Sequence, residues 1–277
     1  MRADEPNTET LVAHATAGDA AALDALVRGI QDRIYRLSFR LLGNPADAAD
    51  ATQEILVRIV TRLGTFRGEA AFSTWAHQVA SNYLLTARAR RTPPMSFGAL
   101  EAMIDGGLQD DAPARDDPTQ PLLAAEVRFT CTEAMLLCLD AGHRLAFVLG
   151  EILELSGDEA AWVLDLSPDA YRQRLSRARA AITGFMKNRC GVFSEANPCR
   201  CPRQIPQAIR FGMLDPARLQ LARHPVTADS PPGALDEVLD VLDAATIYRQ
   251  QPRFAAPDDL AKTIRETIAA RGGLPNA

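Results

Sequence analysis

Aromatic, amide and arginine side chains gather between residues 63 and 91, where they could bind a single strand of nucleic acid. A helix predicted from residue 72 onward places Trp75, Gln78 and Asn82 on one side, and arginines follow at its end. Proteins hold single strands in this way, because bases stack on aromatic rings while cations follow the phosphates. Taken alone, Trp75 is more often a core residue than a stacking platform.

A second basic segment, residues 156–182, has the pattern of a helix-turn-helix. Ser156 and Glu159 are spaced as a capping box, and Ser167 followed by Pro168 starts the next helix. A short capped helix, a tight turn and an arginine-rich second helix can read base edges in the major groove. A solvated basic helix in a bundle would also fit these charges. The side chains expected to contact DNA are Arg172, Gln173, Arg174, Ser176, Arg177 and Arg179.

A helix predicted over residues 47–60 positions the first of these segments. Its apolar residues recur at helical spacing from Ala48 to Leu63 and form a core stripe. An acidic and amide-rich side with one apolar member suits a basic protein partner, and a solvated helix surface is the alternative. The members of that side are Asp47, Asp50, Gln53, Glu54 and Val57.

The order of these residues resembles region 2 of bacterial sigma factors, most closely the small extracytoplasmic-function (ECF) group. The matching segments are Asp47–Glu54, Phe66–Glu69, Phe72–Trp75 and Ala80–Asn82. The resemblance implies that the acidic side of the 47–60 helix binds the coiled coil of the polymerase β′ subunit. It also implies that the following loop and helix open the −10 promoter element and hold a flipped base. The residues implied in that role are Arg67, Phe72, Ser73, Trp75, Gln78, Asn82, Arg88, Arg90 and Arg91.

Residues 166–179 resemble region 4 of the same family, which binds the −35 element, and the β flap is a further expected polymerase contact. Before Arg144 in region 4, Gly142-His143 stands where the family commonly has a proline and polar residues.

Three positions in region 2 also depart from the family pattern. Ser81 stands where arginine is common, and Thr86 and Ala87 stand where an acid and an arginine are usual. These changes remove expected phosphate contacts, so we expect a modest promoter affinity.

The composition predicts an all-α chain of small domains. The 277 residues are 47% hydrophobic and 23% charged, and the net charge of −5 argues against a protein that coats DNA indiscriminately. We expect a region 2 bundle at 10–91, a flexible acidic linker at 92–122, a region 4 helix-turn-helix at 123–189 and a small helical extension at 190–277. The sequence shows no signal peptide or membrane span, which favours a cytoplasmic protein with reduced cysteines.

The extension contains Cys190, Cys199 and Cys201, which are weak candidates for a metal or redox site. His143 or His224 would have to supply a fourth ligand. Structural zinc sites favour two close cysteine pairs, so reduced thiols without a ligand are the preferred interpretation, and no cofactor is expected. Helical patterns follow at about 204–222, 233–249 and 257–270. We expect their apolar stripes to pack on each other or on one of the two DNA-binding domains, and we expect the extension to hold region 4 near region 2.

The sequence therefore predicts a transcription initiation factor that binds core RNA polymerase and promoter DNA, with an anti-sigma factor as a further candidate partner. No nucleophile, base and orienting group are recognisably arranged and no phosphate loop is present, so no catalytic residue is expected. Two alternatives remain open. One is a helix-turn-helix regulator whose residues 10–91 only dimerise, and the other is a thiol- or metal-responsive sensor with DNA binding as its output.

Overall fold

The computed structural model describes residues 5–88, 95–108, 118–230, 243–257 and 260–270. Within these ranges the chain is built from helices, and extended backbone pairs only in two isolated bridges, Cys190 with Cys199 and Val226 with Phe254. The predicted all-α fold is confirmed. No helix in this part of the chain is both long and apolar enough to cross a membrane.

Four helices form the first domain: α1 (Glu5–Thr16), α2 (Ala20–Leu42), α3 (Pro45–Thr61) and α4 (Phe72–Arg88). The long helix α2 packs against the other three. It ends at Gly43, whose left-handed φ of 72° is readily adopted by glycine. The side chain of Asn44 then accepts hydrogen bonds from the first amides of α3 and caps it.

The first helices differ from the sequence prediction in where the chain breaks. The spacing of the apolar residues predicts one broken helix over Leu11, Ala15, Ala22, Leu26 and Ile30, and another over Ile34, Leu37, Leu41 and Leu42. Instead, α2 runs without interruption from Ala20 to Leu42, and the break falls at Gly18, which has a φ of 93°. Asp19 caps α2 directly after that turn, and this local signal determines the boundary.

A helix also interrupts the segment that was predicted to be a flexible linker. Helix α5 (Phe97–Leu108) lies inside residues 92–122, and Leu100 and Ile104 are buried. These two residues and Phe97 recur at helical spacing, but the surrounding prolines and aspartates masked the pattern. The linker prediction is therefore wrong for residues 97–108, whereas residues 109–117 lie outside the described part of the chain.

The second domain contains α6 (Gln120–Cys138), α7 (Ala141–Phe147), α8 (Gly157–Val163) and α9 (Pro168–Arg189). A π-helical turn at Val148–Ile152 continues α7. Both predicted caps are present: Ser156 and Glu159 bond reciprocally, and Ser167 accepts from the amide of Ala170. Helices α8 and α9 therefore form the helix-turn-helix that the caps predicted.

The described parts of the extension contain short helices, and most of the helix predicted at 233–249 lies outside the described residues. The extension contains α10 (Ile205–Arg210), α11 (Ala244–Arg249) and α12 (Leu260–Ala270). The predicted helix at 204–222 stops at Arg210, because Gly212 takes a left-handed φ of 69° and Pro216 follows.

One hydrophobic core runs through both domains and the extension. It joins Val12 of α1 and Leu100 of α5 with Ile182 of α9 and Ile264 of α12. Arg144 is fully buried within this body, and its guanidinium donates to the main-chain oxygens of three leucines, Leu41, Leu136 and Leu139. The extension is thus an integral part of the folded body, as its apolar stripes predicted.

Candidate nucleic-acid and partner interface

The acidic side of α3 is open to solvent at its centre. Asp50 and Glu54 are exposed, and Asp47 and Gln53 are partly exposed. Val57, which was predicted to share this side, is only 2% exposed and belongs to the core. Helices α2, α4 and α12 all pack on α3 and widen its buried arc beyond one stripe, so Val57 is not available as a contact.

Three aromatic rings form a cluster at the start of α4. The ring centroid of Phe66 lies 5.6 Å from those of Phe72 and Trp75, and the latter two are 5.8 Å apart. Phe72 is 5% exposed and anchors the loop to the core, so its predicted role as a strand contact is corrected. Trp75 and Ser73 are partly exposed and Arg67 is exposed, which leaves these side chains accessible.

The predicted strand-binding side of α4 faces the helix-turn-helix. The side-chain amide of Gln78 donates to the main-chain oxygen of Trp162 in α8 at 3.3 Å. Trp75, Gln78 and Trp162 line one cleft together with the loop at 64–70. Asn82, one turn further along α4, is exposed. Arg90, Arg91 and the side chain of Arg88 lie outside the described residues.

Helix α9 has a basic side in solvent and an apolar side in the core. The buried positions are Tyr171, Leu175, Ala178 and Ile182, as the spacing predicted. The exposed positions are Arg172, Gln173, Ser176, Arg177 and Arg179, and Arg174 is partly exposed. The Arg172 guanidinium pairs with the Asp169 carboxylate, and both are exposed. Such a pair contributes little to stability, so Arg172 can exchange its partner for DNA.

Tyr171 fixes α9 against the π-helical turn. Its hydroxyl donates to the main-chain oxygen of Ala146 at 3.3 Å, and a Cβ at Gly150 would lie 2.2 Å from that hydroxyl oxygen. Glycine is therefore required for this close approach. Burial raises the pKa of Tyr171 to about 12, so the hydroxyl stays protonated and remains a donor at neutral pH.

Glu151, a buried acid in the π-helical turn, was not singled out in the sequence. Its carboxylate accepts from Arg179 Nε at 2.6 Å and from Arg249 Nη2 at 2.9 Å. Arg249 Nε also donates to the main-chain oxygen of Glu151 at 2.7 Å. An arginine of the DNA-facing helix and an arginine of the extension therefore share one carboxylate. The sequence feature that could have indicated this buried carboxylate is an acidic residue within the apolar run 145–152.

A buried network joins α2, α6 and the extension. The guanidinium of Arg40 contacts the carboxylate of Glu133 and donates to Gln251 Oε1 at 2.7 Å. Gln251 Nε2 donates in turn to Thr132 Oγ1 at 2.6 Å. Burial raises the pKa of Glu133, and the positive charge of Arg40 opposes this shift.

The cysteines of the extension meet a fourth one in an apolar cavity. Cys131, Cys190, Cys199 and Cys201 line this cavity between α5, α6, α9 and α10. Burial raises the pKa of Cys199 to about 11 and that of Cys201 to about 12, so both thiols stay protonated at neutral pH. Thiolates, not thiols, are the reactive species, which argues against fast redox chemistry.

The two histidines considered as a fourth metal ligand are engaged elsewhere. His143 pairs with Asp140, and the His224 ring stacks on Tyr35 with centroids 5.5 Å apart. Across the described ranges, no group of three or more histidine, cysteine, aspartate or glutamate side chains is arranged to hold a metal ion. Within the described ranges, these four cysteines line one cavity without being grouped as ligands of a single ion.

Several known proteins are similar in sequence to this chain. The family model described as sigma-70 region 2 matches residues 26–93. The RNA polymerase sigma-H factor of Pseudomonas aeruginosa is 32% identical over 180 residues, which cover 63% of this chain and 91% of that protein. The ECF RNA polymerase sigma-E factor of Escherichia coli K12 is 32% identical over 183 residues, with the same two coverages.

Among solved structures, CnrH in complex with the cytosolic domain of CnrY is 26% identical and superposes with a TM-score of 0.46. That match covers 64% of this chain and 96% of the other. The sequence identity to the two curated proteins extends over about nine-tenths of their length. The chain belongs to the extracytoplasmic-function family of RNA polymerase sigma factors.

Proposed function

We propose specific surfaces for the three tasks of this sigma factor. As a member of its family, the protein binds core RNA polymerase and directs it to promoters. The exposed side of α9 recognises the −35 element, and the Trp75 side of α4 opens the −10 element. The acidic side of α3, centred on Asp50 and Glu54, docks on the polymerase.

The −35 assignment is supported above all by the orientation of α9. Its apolar side is buried, its second turn presents Arg172 and Gln173 to solvent, and Ser176 is exposed at the start of the third turn. Recognition helices contact base edges with their N-terminal residues, and arginine and glutamine can each make paired hydrogen bonds to one base. Arg177 and Arg179 follow one turn later, where they suit phosphate oxygens.

The assignments in the first domain rest on exposure and chemistry. Asp50 and Glu54 project from a capped helix whose other sides are held by packing, which favours a defined charged contact. Trp75 and Asn82 combine an aromatic ring and an amide on one side of α4, as strand stacking and base recognition require. Both features lie within the segment matched by the family model.

We also propose that residues 10–91 and 123–189 act as the two binding domains, with α5 in the connection between them. The relatives are sigma factors, which are not enzymes, and we propose that this chain has no catalytic activity. A regulator acting without polymerase is not favoured, because the family match includes both α3 and α4. An anti-sigma factor remains a predicted partner.

The decisive experiment is run-off transcription with bacterial core polymerase on a template that carries the upstream region of this gene. We expect a discrete transcript only when core polymerase and the protein are both present. The double variant Arg172→Ala/Gln173→Ala should reduce that transcript and still bind core polymerase. Promoter-independent output, or specific duplex binding that needs no polymerase, would contradict the proposal.

A further inference from the structure

The −35 and −10 elements lie far apart on DNA, whereas the domains that carry the surfaces assigned to them touch each other in this structure through α4 and α8. Elements centred at these two positions are separated by about 25 base pairs, or roughly 85 Å at ~3.4 Å per base pair. Gln78 of α4 and Trp162 of α8 are nevertheless hydrogen-bonded. We call this contact between α4 and α8 the closed arrangement. A molecule in the closed arrangement cannot occupy both elements, so the two domains must separate before the promoter opens.

The extension holds the two domains together from both sides. Helix α12 packs on α2 and α3 of the first domain, and α11 packs on α9 and the π-helical turn of the second. Gln251, two residues after the end of α11, bonds to Arg40 of the first domain and to Thr132 of the second. Separation of the domains must therefore break contacts that the extension makes.

Helix α11 is built into the core. Ala244, Ala245, Ile247 and Tyr248 are at most 1% exposed. The Tyr248 hydroxyl donates to the main-chain oxygen of Thr132 at 3.0 Å, and its ring meets that of Phe147 edge-on at 5.5 Å. A helix of six residues has no stability of its own, so its order reflects these contacts.

The extension also engages the DNA-facing helix electrostatically. Arg249 and Arg179 share the carboxylate of Glu151, so the extension meets the DNA-facing helix at one charge, and the half-exposed Arg179 is paired with Glu151. The residues proposed to contact polymerase are not covered, because Asp50 and Glu54 remain exposed in the closed arrangement. The contacts of the extension thus oppose promoter opening more than they oppose polymerase docking.

We propose that the extension acts through its described ranges 201–230, 243–257 and 260–270 as an intramolecular inhibitor that keeps the two DNA-binding domains closed. This inference rests on the proposed −35 and −10 surfaces. The inhibitor acts at the step in which region 4 separates from region 2, and it leaves Asp50 and Glu54 of α3 exposed to core polymerase. Arg249 and Tyr248 are the residues through which it holds the second domain.

The test uses the full chain with single substitutions. Arg249→Ala removes both bonds to Glu151, and Tyr248→Phe removes only the bond to Thr132 while keeping the ring. Arg253→Ala is the matched control, because Arg253 pairs with Asp229 inside the extension. Small-angle X-ray scattering measures the radius of gyration, for which a compact chain of this length gives about 19 Å. Run-off transcription at limiting protein measures the consequence.

We expect Arg249→Ala and Tyr248→Phe to enlarge the radius of gyration and to raise the transcript yield at least threefold. Arg253→Ala should match the wild type, and binding to core polymerase should be equal in all four proteins. Wild-type dimensions and wild-type yield in both variants, or an equal rise in Arg253→Ala, would overturn the inference. A larger radius of gyration without any promoter-dependent transcript would support the role of the extension in holding the domains together. It would instead refute the DNA surfaces assigned above.

Discussion

Arg40 of α2 and Glu133 of α6 form a buried ion pair that connects the two domains across 93 positions of sequence. Their side chains are 6% and 4% exposed, so both charges have been removed from water. Each charge is tolerated because the other lies beside it, and Gln251 provides a further acceptor for the arginine. The pair makes the junction between the domains sensitive to the loss of either partner.

Arg40→Met should destabilise the protein by about 3–5 kcal/mol, because it leaves the Glu133 carboxylate buried without its cation. Urea denaturation of the full chain measures this loss. The double variant Arg40→Met/Glu133→Leu should recover most of the stability, since no charge remains in the junction. A double variant as unstable as the sum of the single changes would contradict the pairing.

Asp50→Arg combined with Gln53→Ala should abolish co-purification with core polymerase and leave the thermal midpoint of the protein unchanged. Reversing a charge in a partly desolvated contact costs several kcal/mol, whereas neither side chain is part of the core. Val57→Ala should do the opposite. It should lower stability by about 2 kcal/mol and retain polymerase binding. Normal co-purification of the double variant would refute this surface.

Arg172→Ala and Gln173→Ala should each relax base preference in the −35 element by about 1–3 kcal/mol, if each side chain makes paired hydrogen bonds to a base. Arg177→Ala should instead weaken binding to all sequences alike and reduce the salt dependence, as expected for a phosphate contact. Competition binding of holoenzyme to promoter variants at several salt concentrations separates these effects. Equal losses on every sequence for all three variants would show that this helix does not read bases.

Trp75→Ala and Asn82→Ala should impair strand opening at the −10 element and spare binding to duplex DNA. Both side chains are at least partly exposed on α4, and loss of one stacking ring costs about 1–3 kcal/mol per base. Permanganate footprinting of unpaired thymines measures the opening. Phe72→Ala is the informative comparison, because removing this buried ring should lower the free energy of unfolding by about 3–5 kcal/mol. A normal footprint in the first two variants would rule out the melting role.

Alkaline pH should destabilise the protein through its buried thiols. Burial raises the pKa of Cys138 and Cys199 from 9.0 to about 11, and that of Cys201 from 9.0 to about 12. Below pH 9 the thiols are protonated in both states, so their contribution to stability is complete. As the pH rises through 11 to 12, the unfolded chain has already lost these protons, and the contribution disappears.

Urea midpoints of the wild type and of Cys201→Ala, measured between pH 8 and 11, would test this thiol contribution. The variant should lose less stability with rising pH, because its unfolded chain has one thiol fewer to deprotonate. Parallel pH profiles for the two proteins would mean that this thiol has no part in the alkaline destabilisation.

Local signals predicted the elements that carry the candidate surfaces. The caps at Ser156 and Ser167 marked the helix-turn-helix, and the spacing of Tyr171 and Leu175 identified the buried side of α9. Val57 and Phe72 were assigned to surfaces because their positions along the helix and loop fit a binding side. Their burial depends on how many neighbouring helices surround them, and no local pattern records that number.

The connections between the domains could not be predicted from local patterns. The contact of Glu151 with Arg249 spans 98 positions, and that of Gln78 with Trp162 spans 84. Each of these contacts forms only when helices that are far apart in sequence pack against each other. A resemblance to family members of smaller size also contains no information about an extension that they lack. For this reason the sequence predicted that the extension would pack, but not the residues through which it does so.

The distance in sequence between Arg40 and Gln251 has a consequence for how the protein is made. The two residues are 211 positions apart, and the bond between Asp32 and the amide of Ala256 spans 224. At ~5–20 residues per second, the ribosome adds Gln251 roughly 10–40 s after Arg40. Helices α3 and α4 are complete during that interval, while the segment that closes the molecule is not yet synthesised. Every new chain therefore passes through a period in which its first domain can meet polymerase before the closed arrangement can form.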